Sequence, residues 1–257
     1  MEAGRPGAAP GEETAPVPSE SRGWKMKEFG GAVFDLDGTL LDSLGMWENL
    51  DREFLAKRGI AAAPDYTAAV GAMSFREAAE YTVRRFGLPE APEALVAEWD
   101  GMVREQYARR IGLKPHARGY LEFLRGRGVL LGVATALPKE LYAPALERNG
   151  VLGFFKAFAS VREVERGKEF PDVYRLAAKR LGLPPERCAA FEDVPPALRG
   201  AKAAGMAAVG VYDAHSAVDQ AEMRALADRY ILDFSELLPR QSRSRPAVRP
   251  GAKNKLV

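Results

Sequence analysis

Cysteine is nearly missing from this chain: Cys188 is the only one in 257 residues. An internal disulfide is therefore impossible, and a reducing cytoplasm is the simplest setting. Cys188 opens an apolar stretch and reads as a core residue rather than a nucleophile. Histidine is almost as scarce. His116 and His215 stand alone, without a sequence cluster of His, Cys or Asp, so no transition-metal site is expected. Long apolar runs are lacking as well. "VLLGVATAL" (129–137) falls far short of the roughly 20 residues that cross a bilayer. No apolar leader marks the amino terminus, so neither a membrane span nor a signal peptide is expected. Residues 1–23 have almost no large apolar side chain, and 1–28 are expected to form a disordered extension. The far end lacks acids instead. Residues 239–257 carry Arg240, Arg243, Arg245, Arg249, Lys253 and Lys255 with no Asp or Glu. Such a tail can touch nucleic acid, but a solvated, disordered end is the expectation, with no nucleic-acid or membrane partner. The net charge of +2 thus belongs to a tail, and the body between the ends is mildly acidic.

What is present is the material of a globular core. Hydrophobic residues make up 47% and charged residues 28%, the balance of a folded, water-facing protein. Short apolar runs at 31–37, 129–136, 157–160, 188–193, 207–213 and 229–234 read as buried strands. Helical patterns fall between them, near 115–127, 138–149, 170–182, 196–204 and 216–227. This alternation predicts an α/β fold: a Rossmann-like, three-layer α/β/α core with a mostly parallel sheet. Ligands in such folds bind at the carboxyl ends of the strands. Residues 44–112 break the alternation. Trp47, Leu50 and Phe54 follow helical spacing, as do Phe75, Ala78, Ala79, Thr82 and Phe86, then Leu95, Trp99, Met102, Val103 and Tyr107. These stripes read as the core of an inserted α-helical cap over 44–112, with the α/β core formed by 29–43 and 113–238. The insert leaves the sheet just after the first strand, where it can close over a site.

That first strand ends in "FDLDGTLLDS" (34–43), with Asp35 and Asp37 two residues apart. On a strand both carboxylates would point to one side. Two like charges held together need a cation or a shared proton. The pair can be a solvated turn, a calcium loop without its distal Glu, or a nucleophile and its acid under Mg²⁺. Gly38 allows close backbone approach, and Thr39 can fix the turn.

Taken with three later stretches, the segment resembles the haloacid dehalogenase-like superfamily, whose phosphotransferase members carry Asp-x-Asp-Gly-Thr. Thr135 in "GVATALP" is similar to the second motif of that family. Lys168 in "GKEFPDVY" resembles the third, and Glu192-Asp193 in "AFEDVPP" the fourth. The resemblance spans about residues 30–238. It implies a phosphatase acting on a small phosphorylated metabolite, with Asp35 as nucleophile and Asp37 as general acid and base. It also implies Lys168 and Thr135 as catalytic and phosphate-binding groups, with Ala136 beside them. A Mg²⁺ ion would be held by Asp35, Asp193 and the backbone carbonyl of Asp37, with Glu192 as an auxiliary ligand. The insert places the chain with phosphoglycolate phosphatase-like and β-phosphoglucomutase-like members.

Within that resemblance, Asp37 argues against dehalogenases and phosphonate hydrolases, which lack the second Asp. The mutases carry a His twelve residues after the nucleophile, where this chain has Trp47, and a cap Arg where it has Phe75. Hydrolysis of a phosphate monoester is therefore expected over phosphoglucomutase chemistry. A non-catalytic phosphate- or protein-binding relic is the remaining alternative. Two departures stand out. Val194-Pro195-Pro196 replace the usual Ser after the acidic pair, and the prolines suit a first helical turn. Ala136 and Leu137 stand where a polar residue often follows Thr135, leaving phosphate more dependent on backbone N–H groups. Arg76, Tyr66 and Ser74 are candidate cap residues facing the site.

Overall fold

A computed structural model of the chain describes residues 29–239, apart from 71, 72, 74 and 216–219; the side chains of Trp47, Glu48, Pro64, Thr67, Ala68 and Phe75 are not described. The readings of the 1–28 extension, of most of the basic tail, and of Ser74 lie outside the described residues. So do the side-chain comparisons made at Trp47 and Phe75.

Six strands form one parallel sheet: β1 (Gly31–Phe34), β2 (Leu130–Thr135), β3 (Ala157–Ser160), β4 (Cys188–Glu192), β5 (Ala207–Val211) and β6 (Arg229–Ile231). Their order is β3-β2-β1-β4-β5-β6, and every neighbouring pair runs parallel. The chain moves one way from β1 to β3, then crosses back to β4. β1 is thus the switch point, where a crevice opens at the carboxyl ends of the strands. Helices α5 (Ala117–Gly126) and α6 (Lys139–Arg148) follow the core sequence, then α7 (Asp172–Leu181), α8 (Pro195–Ala203) and α9 (Gln220–Leu226).

Alternate residues of the strands face two separate cores. Ala32, Phe34, Val133 and Phe191 point to one face, with Tyr120 of α5 and Leu146 of α6. Phe34 stacks on Phe191 with ring centroids 4.3 Å apart. The other face is built of small residues, Ala134, Ala159 and Ala190, against Tyr174, Ala177 and Ala178 of α7. Small side chains there bring α7 close to the sheet, which carries Tyr174 to the end of β4.

Between β1 and α5 lie α1 (Met46–Ala56), α2 (Pro64–Val70), α3 (Phe75–Phe86) and α4 (Pro92–Arg109). Leu50, Phe54, Ala79, Leu95, Trp99, Val103 and Tyr107 are buried, as the helical spacing predicts. No described helix is long and apolar enough to cross a membrane. The chain enters and leaves this insert through two paired segments. Asp42 N–H donates to Gly112 O (3.0 Å), and Lys114 N–H to Leu40 O (2.8 Å).

Several strands end earlier than the apolar runs do. The strand read over 31–37 stops at Phe34, and the 207–213 and 229–234 runs stop at Val211 and Ile231. The cause at β1 is local. Thr39, Leu40 and Leu41 all turn their N–H groups back onto Leu36 O, and Gly38 takes a φ of +75°. Only glycine adopts that conformation without strain. Helix α2, in which Tyr66 is the one fully buried side chain among those described, was not read from the sequence.

Candidate active site

The carboxyl edge of β1 and β4 gathers charge in a buried place. Asp35 follows β1 directly and donates its N–H to Phe191 O (3.0 Å) on β4. Asp193 follows β4, whose last residue is Glu192. All three acids are buried. One carboxylate oxygen from each of Asp35, Glu192 and Asp193 lies within 4.8 Å of the others. Three such groups repel one another in a low-dielectric pocket unless cations intervene. One cation is Lys168, from the loop ahead of α7. Its Nζ donates to Asp35 Oδ1 (2.6 Å) and to Glu192 (2.8 Å). Burial disfavours the charged ammonium, but the attraction of Asp35 and Glu192 outweighs it and raises the Lys168 pKa above its usual value.

One ammonium does not balance three carboxylates. The donor set, oxygen only and anionic, fits a hard divalent cation such as Mg²⁺. Backbone approach fits it too. A Cβ on Gly38 would collide with the Asp193 carboxylate, so glycine lets the loop close on it. Thr39 Oγ1 also donates to Asp193 Oδ1, at 3.4 Å. Among the described residues, this trio is the only group of three His, Cys, Asp or Glu so arranged. The two histidines sit elsewhere. His116 Nδ1 lies 2.7 Å from Asp233, and His215 Nδ1 3.1 Å from Asp213.

Asp37 has separate surroundings. Because β1 has already ended, Asp37 does not share a strand face with Asp35. Its Oδ1 accepts from Ser43 Oγ and from Tyr107 OH, both at 2.6 Å. Burial pushes its carboxyl up to about 6, with the two hydroxyls pulling it back down. It can therefore hold a proton at a pH where an ordinary aspartate has lost it.

Thr135 ends β2 beside this crevice, buried, with its Oγ1 accepting from Leu137 N–H (3.0 Å). Ala136 follows it and is exposed. The structure thus brings Lys168 into hydrogen-bond distance of Asp35 and Glu192, sets an Asp193 oxygen within 4.8 Å of theirs, and holds Asp37 beside them. Thr135 and Ala136 lie on the adjacent strand end. Arg76 does not join them: it is exposed and pairs with Glu80 and Glu93. Nor does Tyr66, which is buried with its hydroxyl 2.9 Å from Thr82 Oγ1. Val194 precedes α8, and Pro195 opens its first turn, as the paired prolines predict.

Four contributors went unread. Ser43 stood in the opening motif without an assigned part. Tyr107 fits the spacing of an insert core, and its ring is core; only its hydroxyl reaches Asp37. Tyr174, the last residue of "KEFPDVY", donates to Glu192 Oε1 (2.8 Å) and holds that carboxylate toward Lys168. Gly200 on α8 leaves room for the Lys168 carbonyl, which any Cβ there would strike.

Comparison with known proteins follows the same edge. The sequence model of the haloacid dehalogenase-like hydrolases matches residues 29–205. A phosphoglycolate phosphatase of Shigella dysenteriae serotype 1 is 28% identical over 239 residues, covering 84% of this chain and 93% of the relative. A validoxylamine A 7'-phosphate phosphatase of Streptomyces hygroscopicus subsp. limoneus is 29% identical over 222 residues, covering 80% and 94%. Among solved structures, CbbY from Rhodobacter sphaeroides in complex with phosphate is 26% identical with a TM-score of 0.63, covering 81% of this chain and 96% of that one.

Proposed function

The chain belongs to the haloacid dehalogenase-like hydrolases, and from that premise we propose that it is a Mg²⁺-dependent phosphatase of small phosphate monoesters working through a phosphoryl-Asp35 intermediate. One observation carries the reading: Lys168 spans Asp35 and Glu192 at 2.6 and 2.8 Å inside a buried carboxylate trio, with a second, proton-holding Asp alongside.

Mg²⁺ would be held by the carboxylates of Asp35 and Asp193 and the backbone carbonyl of Asp37, with Glu192 beside it, and would offset the charge of the phosphoryl oxygens. The protein groups do the rest. An Asp35 oxygen attacks phosphorus, forming an O–P bond as the bond to the leaving oxygen breaks. Asp37 gives that oxygen its proton. Water then attacks the phosphoryl group while Asp37 takes the proton back, releasing inorganic phosphate and restoring Asp35. Lys168 and the Thr135 end of β2 face the charge that spreads over the transferring group. The 44–112 insert serves as a cap. Support for this comes from Tyr107, which α4 delivers to the acid and which ties insert and core at the reacting group. The two relatives named above are both called phosphatases of organic phosphates, of differing size.

The test is phosphate release from p-nitrophenyl phosphate and from alkyl phosphates, with Mg²⁺ and with excess chelator. Turnover that needs Mg²⁺, and that Asp35→Asn abolishes while the fold persists, is expected. Metal-independent turnover, or an active Asp35→Asn, would remove the proposal.

A further inference from the structure

Glu192 is one of three acids at the carboxyl edge, yet its surroundings set it apart from the other two. It ends β4 in alternation with Cys188 and Ala190, so its side chain faces the layer that α7 packs against. Asp35 is its neighbour across the sheet. Phe34 pairs with Phe191, and the Asp35 N–H carries the ladder on to Phe191 O. Lys168 Nζ lies between the two carboxylates, 2.6 Å from Asp35 Oδ1 and 2.8 Å from Glu192. Glu192 then takes a further donor, the hydroxyl of Tyr174, 2.8 Å from Oε1. Lys168 and Tyr174 belong to one short stretch, so the loop ahead of α7 and its first turn grip a single carboxylate with two donors. Glu192 is also the deepest of the trio, 1% exposed against 6% for Asp35 and 5% for Asp193. Turning it outward to a metal would break the Tyr174 bond and leave a fully buried hydroxyl without its acceptor, which is costly.

The reaction gives this grip a purpose. Before it begins, two carboxylates hold Lys168. Once an Asp35 oxygen forms its bond to phosphorus, Asp35 loses its charge and most of its hold on the ammonium. Glu192 then keeps Lys168 at the phosphoryl oxygens, and it can do so only if its own direction is fixed.

Resting on the phosphatase reading, we propose that Tyr174 is a positioning residue: by bonding Glu192 Oε1 it commits that carboxylate to Lys168 rather than to the metal, so that Lys168 stays aimed at the transferring phosphoryl group while Asp35 is esterified. Asp35, Asp193 and the Asp37 carbonyl then serve the metal without Glu192.

The experiment compares the full chain with Tyr174→Phe and with Glu192→Asp, which shortens the carboxylate and keeps its charge. Three quantities are read: Mg²⁺ affinity by calorimetry without substrate, inhibition by inorganic phosphate, and kcat and KM on p-nitrophenyl phosphate. Tyr174→Phe should lower kcat by about tenfold, the loss of one hydrogen bond to a charged group, with KM little changed. It should weaken phosphate inhibition several-fold, because Lys168 is no longer aimed, and leave the Mg²⁺ dissociation constant equal to or below that of wild type. Glu192→Asp should show the same pattern, and it carries the test if Tyr174→Phe does not fold. Mg²⁺ binding weakened about tenfold in either variant would make Glu192 a ligand oriented by Tyr174 and overturn the proposal. Unchanged kcat, or a lower kcat with unchanged phosphate inhibition, would overturn it too, and each of these leaves the phosphatase reading intact. No turnover of p-nitrophenyl phosphate by the wild type would overturn both.

Discussion

At Asp37, two hydroxyls meet one carboxylate oxygen, and they come from two separate elements. Ser43 belongs to the loop after β1, Tyr107 to the last turns of α4. Both bonds favour the charged carboxylate and both fix where it points. Removing one should leave the fold in place and misplace the proton. Tyr107→Phe is expected to lower kcat by about tenfold on alkyl phosphates, the loss of one hydrogen bond to a charged group. On p-nitrophenyl phosphate, whose leaving group needs little protonation, the drop should be much smaller; equal drops on both would contradict the proton role. Asp51 gives a pH prediction with the opposite flavour. Its carboxyl moves from an ordinary value near 3.8 to about 6 on folding. A raised carboxyl binds its proton more tightly in the folded state, so its penalty is absent below about 4 and complete above about 6. Its one named electrostatic neighbour, Tyr66, is itself pushed up by burial and stays protonated through that window. Asp51→Asn should therefore match wild type in Tm at pH 4 and exceed it at pH 7, read by thermal melts across that range. A constant difference at all pH values would count against the assignment.

Among the elements, the connections of the insert matter most. The leaving segment is pinned by Lys114, whose ammonium pairs with the buried Asp213 beyond β5 and also donates to Tyr212 O (3.1 Å). Cutting one member leaves a buried charge alone, a loss of about 3–5 kcal/mol. Lys114→Met should thus lower Tm by many degrees, while substitution of the exposed Arg110–Glu53 pair in the insert should hardly move it. Gly200→Ala should act on the reaction instead: α8 would push the Lys168 backbone away, and phosphate affinity should fall more than stability. Much of this level was legible beforehand. The strand–helix alternation located all six strands, because buried parallel strands are continuous apolar runs. Their ends were not legible, since Asp35, Tyr212 and Leu232 extend the pattern while the backbone has already turned. Helix α2 escaped because "PDYTAAV" shows one strong apolar anchor and no period. Tyr107 escaped for a related reason: a tyrosine at core spacing is core along most of its length, and periodicity cannot report its hydroxyl.

For the whole molecule, order along the chain becomes proximity at one edge. Asp35, Lys168 and Asp193 are spread over more than 150 residues, yet a sheet with β1 at its switch point sets Lys168 on Asp35 and an Asp193 oxygen within 4.8 Å of the Asp35 carboxylate. Their types and order were readable in four short stretches. Their division of labour was not, because which acid Lys168 holds and which hydroxyls hold Asp37 depend on helices packed from distant segments. The surplus of buried negative charge also predicts a linkage. If Mg²⁺ is held as proposed, by the folded site and not by the open chain, it should raise Tm as its concentration passes Kd, and Asp193→Asn should abolish the rise. The most direct measurement of all is rapid acid quench during turnover, followed by mass spectrometry of the peptide that contains "FDLDGTLLDS". The account predicts one phosphoryl group on Asp35, absent from Asp35→Asn and present in wild type only while substrate lasts. Steady turnover with no phosphoryl group on that peptide, or with one at another residue, would contradict it.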